Sequence, residues 1–231
     1  MAGNMIIDSV TYLHKAYCEG KRILAEGANA TMLDIDHGTY PMVTSSSCVI
    51  GGVMTGLGMP PQVVETTVGV VKAYTTRVGS GPFPTEQLND IGETMQSVGQ
   101  EIGVTSGRKR RCGWLDLNVV KYCHKLSGIT SINITKLDVL TGIPELKICT
   151  HYTLDGQILD GEQPSTITEL EKCIPVYITL PGWTEDLSGI TEYSKLPENA
   201  RKYCEKIEEL LDIPVVWVGV GADREQTIKR F

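Results

Sequence analysis

Apolar residues recur at helical spacing in two long windows of the chain. Ile6, Val10, Leu13 and Tyr17 predict a helix over residues 5–18, ended by Glu19-Gly20-Lys21. Ala200, Tyr203, Ile207 and Leu210 repeat the stripe and predict an amphipathic helix over 197–211. Further helices are expected over 117–126, near 167–171, and through Leu88, Ile91 and Met95 with Thr85-Glu86 as the cap. Short apolar runs bounded by turn residues predict strands at 22–26, 131–135, 145–152 and 173–180, and a last strand at 213–218 before a final helix opening at Ala222. Residues 62–74 are apolar enough for a buried helix or a strand, and periodicity does not decide between them. The alternation describes an α/β chain with an inserted antiparallel region over 145–180.

Between these elements the polar pattern is dense in places. Gly27-Ala28-Asn29 reads as a turn after a strand, where α/β folds place ligands. Residues 33–47 combine short polar side chains with turn formers, and so long an irregular run in a compact chain is more often functional than idle. The hydroxyls of residues 44–47 suit either a phosphate or the cap of the next helix. His37 reads as a hydrogen-bonded structural residue. Gly51, Gly52, Gly56 and Gly58 suggest closely packed backbone, since no Gly-Lys-Ser/Thr ending follows.

Composition narrows the function. With 231 residues and 41% hydrophobic content the chain can build a sizeable core. Its 28 acidic against 21 basic residues give a net charge of −7, which argues against general attraction to nucleic acid or anionic membrane. Seven scattered cysteines without a Cys-x-x-Cys pair fit a reducing compartment, and no leader or membrane span is expected. The cytoplasm is the expected location.

Against that acidic background, Arg108-Lys109-Arg110-Arg111 stands out, preceded by Val104-Thr105-Ser106-Gly107. Four adjacent cations repel unless an anion or water offsets them, and guanidinium forks fit carboxylate and phosphate. A solvated loop, a nucleic-acid patch and a small-anion site all remain open on this stretch alone. Two further signals lie at strand ends. In Thr135-Lys136-Leu137-Asp138 the Asp138 carboxylate can accept from guanine N1–H and the 2-amino group together, while the Lys136 stem covers the ring. Gly219-Val220-Gly221 would let backbone touch a flat base, or simply make a tight turn.

In order and spacing, Glu26-Gly-Ala-Asn-Ala30, Leu33-Asp-Ile-Asp-His-Gly-Thr-Tyr-Pro41, Lys72-Ala-Tyr-Thr-Thr-Arg-Val-Gly79, Gly81-Pro-Phe-Pro-Thr-Glu86, residues 105–116, Thr135-Lys-Leu-Asp138, Leu180-Pro-Gly-Trp183 and Gly219-Val-Gly221 resemble the adenylosuccinate synthetase family in its eukaryotic form. The resemblance implies an incomplete P-loop-NTPase-like mixed sheet flanked by helices with a small antiparallel insertion. Residues 1–231 would be a single C-terminal portion of the family's domain, with the phosphate-loop half absent and a sheet edge and apolar face exposed. The implied reaction is GTP-dependent ligation of IMP and L-aspartate to adenylosuccinate, with magnesium as cofactor; a non-catalytic fragment or purine-nucleotide-binding module is the alternative.

By the same resemblance, Asn29, Thr44 and Arg108 would contact IMP. Val104, Thr105, Ser106, Gly107, Arg108, Lys109 and Arg110 would hold aspartate. Arg110, Lys136, Leu137, Asp138, Gly219, Val220 and Gly221 would bind GTP. The family's base aspartate, its assisting histidine and its metal ligands fall in the half not present, so no catalytic residue or metal ligand is assigned here. A homodimer without nucleic-acid or membrane partners is expected.

Overall fold

The computed structural model describes residues 6–104 and 107–231. Helix α1 (Ser9–Cys18) forms where the apolar spacing predicts it, capped by the Asp8 carboxylate, which accepts from the Thr11 amide at 3.2 Å. It buries no residue, and Ile6, Ile7, Val10, Tyr12 and Tyr17 are exposed. The strand expected over 22–26 does not form. Those residues join no ladder, and Leu24 is 93% exposed. Hydrophobic side chains alone do not make a strand without a neighbour to take the backbone hydrogen bonds.

Residues 34–48 are irregular, as expected, and are followed by α2 (Gly51–Leu57). The hydroxyls before it are not its cap: Ile50 occupies that position with no side-chain bond. The ambiguous stretch 62–74 resolves as strand β1 (Val68–Lys72), with β2 (Thr75–Arg77) after it. Helix α3 (Asp90–Val98) starts later than predicted. Its cap is Asn89, which accepts from the amides of Ile91 and Gly92, while Leu88 stays outside and exposed.

Strands β3 (Arg111–Gly113) and β4 (Leu115–Asp116) lead into α4 (Leu117–Ser127), which Asp116 caps and Gly128 ends at φ +58°. Then come β5 (Ser131–Thr135), β6 (Glu145–Leu154), β7 (Gln157–Leu159), α5 (Ile167–Lys172) with a complete capping box, and β8 (Ile174–Pro181). Helix α6 (Glu198–Leu211) buries Ala200, Tyr203 and Ile207 of the stripe read from sequence, together with Cys204 and Leu211, while Leu210 is partly buried. Strand β9 (Val215–Gly219) is not the last. In place of a final helix, a single 3-10 turn at Arg224–Gln226 reverses the chain into β10 (Thr227–Lys229). The reversal lets β10 take the free hydrogen bonds of β9.

The main sheet has the order β1-β5-β9-β10, with β1, β5 and β9 parallel and β10 antiparallel. Ile132, Ile134 and Val218 pack from it into a core shared with Leu117, Val120, Tyr203 and Ile207. β1 lies at the edge, where Val68 and Val70 are exposed. β2 and β3 form a separate antiparallel pair. The antiparallel insertion is confirmed: β6 pairs with β7 and β8 antiparallel, and joins β4 in parallel.

Candidate functional site

Parallel strands present their C-terminal ends along one edge, the usual location of ligands in open α/β sheets. Register places Lys72 of β1 beside Thr135 of β5, and Ile134 of β5 beside Val218 of β9. Lys136 and Gly219 therefore stand at adjacent strand ends. Lys136 adopts the left-handed region at φ +59° and ψ +36°, which costs a lysine about 1–2 kcal/mol. Such strain persists where the surroundings fix it. Here Lys136 Nζ donates to the Gly99 carbonyl at 2.5 Å and to Glu101 Oε1 at 2.8 Å.

Glu101 is fully buried. Besides Lys136 it accepts from Lys72 Nζ at 3.0 Å, from the Tyr74 hydroxyl at 2.6 Å and from Arg110 Nη1 at 2.7 Å. Burial alone would raise its carboxyl pKa. The hydrogen bonds from Lys136, Tyr74 and Arg110 and the charge of Lys72 outweigh that and hold it at about 2. Burial conversely lowers the Lys72 ammonium, partly offset by Glu101, and raises the Tyr74 phenol.

This changes the reading of the cationic run. Four adjacent cations need an anion or water to offset them, and carboxylates of this chain supply part of that offset. Arg110 pairs with Glu101. Arg111 grips Glu86 with two bonds of 2.6 and 2.5 Å and also donates to the carbonyls of Gly79 and Gly81. Arg108 and Lys109 are exposed. The loop that carries them is narrow: the Arg110 amide bonds Glu101 O at 2.8 Å, Lys109 bridges Ile102, and the Gly103 amide bonds Arg108 O at 2.8 Å. Gly107, at φ +64°, turns the tip with its amide on Gly103 O, and Val104 is 99% exposed. Thr105 and Ser106 lie outside the described residues.

At the neighbouring strand end, Leu137, Val139 and Leu140 are buried and anchor the turn Leu137–Leu140 that carries Asp138. Asp138 Oδ1 is buried with no hydrogen-bond partner among the described residues. Burial raises its pKa, countered in part by its own backbone amide and by Lys136, while Asp186 adds a further upward push. An orphaned carboxylate oxygen is costly, and its cost is removed when a donor arrives. Across from it, Gly219 follows Val218, and Val220 is buried with its amide already on the Gln226 carbonyl at 2.8 Å. That amide is not available to a base. Gly221 lies against the Gln226 side-chain amide, which a Cβ at that position would displace.

Asn29 and Thr44 sit on a different support. Asn29 is exposed at φ +64°, and the Thr44 amide bonds Leu33 O at 2.8 Å. The segment turns around Asp34, whose buried carboxylate accepts from the amides of Asp36, His37 and Cys48 at 3.0, 2.9 and 2.6 Å. Burial would raise the Asp34 pKa, but these amides win and lower it. Arg77 Nη2 reaches Thr39 Oγ1 at 3.0 Å, and the Tyr122 hydroxyl bonds His37 O at 3.1 Å, tying the segment to β2 and α4. His37 thus contributes backbone, consistent with a structural role.

Sequence reasoning missed Glu101, Tyr74 and Glu86 as site-builders. One signal was present: Glu101 is the acidic residue nearest before the cations, and Lys72 and Tyr74 belong to a motif quoted only as a family block. Among the described residues no three His, Cys, Asp or Glu side chains gather to hold a metal ion. No helix among the described residues is long and apolar enough to cross a membrane.

Comparison with known proteins bears on these features together. A family model described as adenylosuccinate synthetase matches residues 2–228. Adenylosuccinate synthetase of Meyerozyma guilliermondii is 57% identical over 225 residues, which cover 97% of this chain and 53% of that protein. The Candida tropicalis enzyme is 56% identical over 97% of this chain and 52% of its own length. A fully ligated adenylosuccinate synthetase structure from Plasmodium falciparum superposes with a TM-score of 0.97 at 44% identity, covering 100% of this chain and 55% of that one. The chain spans about half the length of the curated relatives it matches, and corresponds to their C-terminal portion.

Proposed function

The chain belongs to the adenylosuccinate synthetase family, and on that premise we propose that it supplies the guanine-reading and aspartate-holding part of a GTP-dependent ligase joining IMP and L-aspartate. One observation carries the reading: a buried Asp138 oxygen without a partner at the end of a parallel strand, beside Lys136 and Gly219. Guanine offers N1–H and the 2-amino group, two donors on one edge, and so satisfies that oxygen and its twin together. Adenine presents no such pair. Lys136, held by Glu101 and Gly99, lays its stem beside the base, and Leu137 fixes the turn beneath.

On the other side, Arg108 and Lys109 stand exposed on the loop that also carries Arg110 and Arg111. We assign them, with Val104, Thr105, Ser106, Gly107 and Arg110, to the aspartate carboxylates, and Arg108 also to IMP with Asn29 and Thr44. Arg110 faces both aspartate and GTP, and Gly219, Val220 and Gly221 complete the guanine side. In this reaction the protein binds and orients charge rather than forming bonds to substrate. Magnesium, as the family requires it, would neutralise phosphate charge; none of this chain's described residues is assigned to it.

We read residues 1–231 as a single C-terminal portion of the family's domain, with the β1-β5-β9 sheet as part of a P-loop-NTPase-like arrangement, in a cytoplasmic homodimer. Titration of GDP into the purified protein and its Asp138→Ala variant tests the assignment. Loss of a charged acceptor should weaken GDP about 10- to 100-fold, and unchanged affinity would refute the pocket.

A further inference from the structure

Glu101 joins the strand-end side of the site to the base of the cationic loop. Its two oxygens divide the work. Oε1 receives Lys136 at 2.8 Å and Tyr74 at 2.6 Å on the strand-end side, while Oε2 receives Arg110 at 2.7 Å from the loop; Lys72 spans both at 3.0 Å. The backbone of Glu101 also closes the base of that loop through the Arg110 amide. Three cations surround one carboxylate, so the cluster keeps about two positive charges after internal pairing, and they are available to anions arriving at either end.

We propose that Glu101 is a positioning residue that couples guanine-nucleotide binding to dicarboxylate binding. The proposal rests on the functional reading given above. A dicarboxylate that fixes the loop fixes Arg110, and through the shared buried carboxylate it also fixes Lys136. A nucleotide then meets Lys136 already ordered and binds more tightly, and linkage makes the effect reciprocal. Glutamine has nearly the volume of glutamate but can accept at only one end. Its amide must face either Arg110 or Lys136 with a donor against a cation, so Glu101→Gln breaks one arm of the bridge whichever way it turns.

The test is calorimetric titration of GDP into the full chain with IMP present throughout, with and without saturating L-aspartate. The wild-type protein should show GDP tightened about fivefold or more by aspartate, the lower bound for coupled sites, and Glu101→Gln should bring that ratio to about one. A purely structural role would weaken both titrations alike and leave the ratio intact. Tyr74→Phe, which removes a donor but leaves the Lys136–Glu101–Arg110 bridge and its charges, should keep the ratio. Where Glu101→Gln fails to fold, Lys136→Met severs the bridge at its other end and must also bring the ratio to about one. Absence of coupling in the wild type, or its persistence in a bridge-severing variant, overturns the proposal. Failure of the wild type to bind GDP at all refutes the functional reading itself, and this inference with it.

Discussion

The two halves of the candidate site rest on supports of different strength. From Ala73 onward the chain folds around one continuous core, and the proposed guanine corner is built on it: Ile134, Leu137 and Val218 are wholly buried next to Lys136, Asp138 and Gly219. Over residues 6–66, by contrast, the buried described residues are Asp34, Thr39 and Met59, while Ile6, Ile7, Leu24 and Tyr40 are exposed. Asn29 and Thr44, the proposed IMP contacts, belong to this second region. One half of the site is positioned by hydrophobic packing, while the segment that carries Thr44 is held by hydrogen bonds, three of them to the Asp34 carboxylate. The lesson is that site residues close in the family pattern need not share a source of rigidity.

Truncation in the packed region should have the largest effect. Leu137→Ala empties space in a fully buried position and should cost about 2–5 kcal/mol in denaturant unfolding; a smaller loss would mean that the turn carrying Asp138 is not held by the core. One buried carboxylate from each region, Asp116 and Asp34, offers a paired test because these two titrate in opposite senses. Asp116, 2% exposed and bonded by the Tyr152 hydroxyl, is raised by burial from an ordinary 3.8 to about 6. A raised carboxyl binds its proton more readily folded than unfolded, so its contribution to stability falls as pH rises from about 4 to 6, by about 3 kcal/mol. Asp116→Asn should flatten that window relative to wild type.

Asp34 behaves in the reverse sense. Its pKa is depressed, so its stabilisation is present above 3.8 and is lost as pH falls below that value. Asp34→Ala strips three amides of their acceptor and should cost about 1–3 kcal/mol. Hydrogen exchange should show the loss confined to residues 32–48, with the sheet protected; loss of protection in β5 would mean the two regions fold as one. The smallest effect is expected at Leu24, where Leu24→Ser should change stability by less than about 0.5 kcal/mol.

Much of the packed region was legible in the sequence, and the reasons are local. β5 and α6 lie where a bounded apolar run and a helical stripe place them, because each signal is repeated several times within one element. Misread elements depended on distant partners. Residues 22–26 have strand composition but no ladder, and the end of the chain returns as β10 because β9 had a free edge that no local pattern reveals. The position of the Thr135–Asp138 turn at a strand end was readable, since it follows directly on the apolar run of β5. The cationic loop was readable as a place but not in its charge balance. Glu101 lies beside it in sequence, yet the need for that carboxylate arises from Lys72 and Lys136, 29 and 35 positions away, meeting it at the sheet edge.

The central claim is that the Asp138 corner reads the guanine edge, and competitive titration of the wild-type chain with GDP, IDP and ADP tests it most directly. IDP lacks the 2-amino group but keeps N1–H, so it should bind about tenfold more weakly than GDP, and ADP, with neither donor, more weakly again. Equal affinity for the three diphosphates would show that Asp138 recognises no base and would contradict the account.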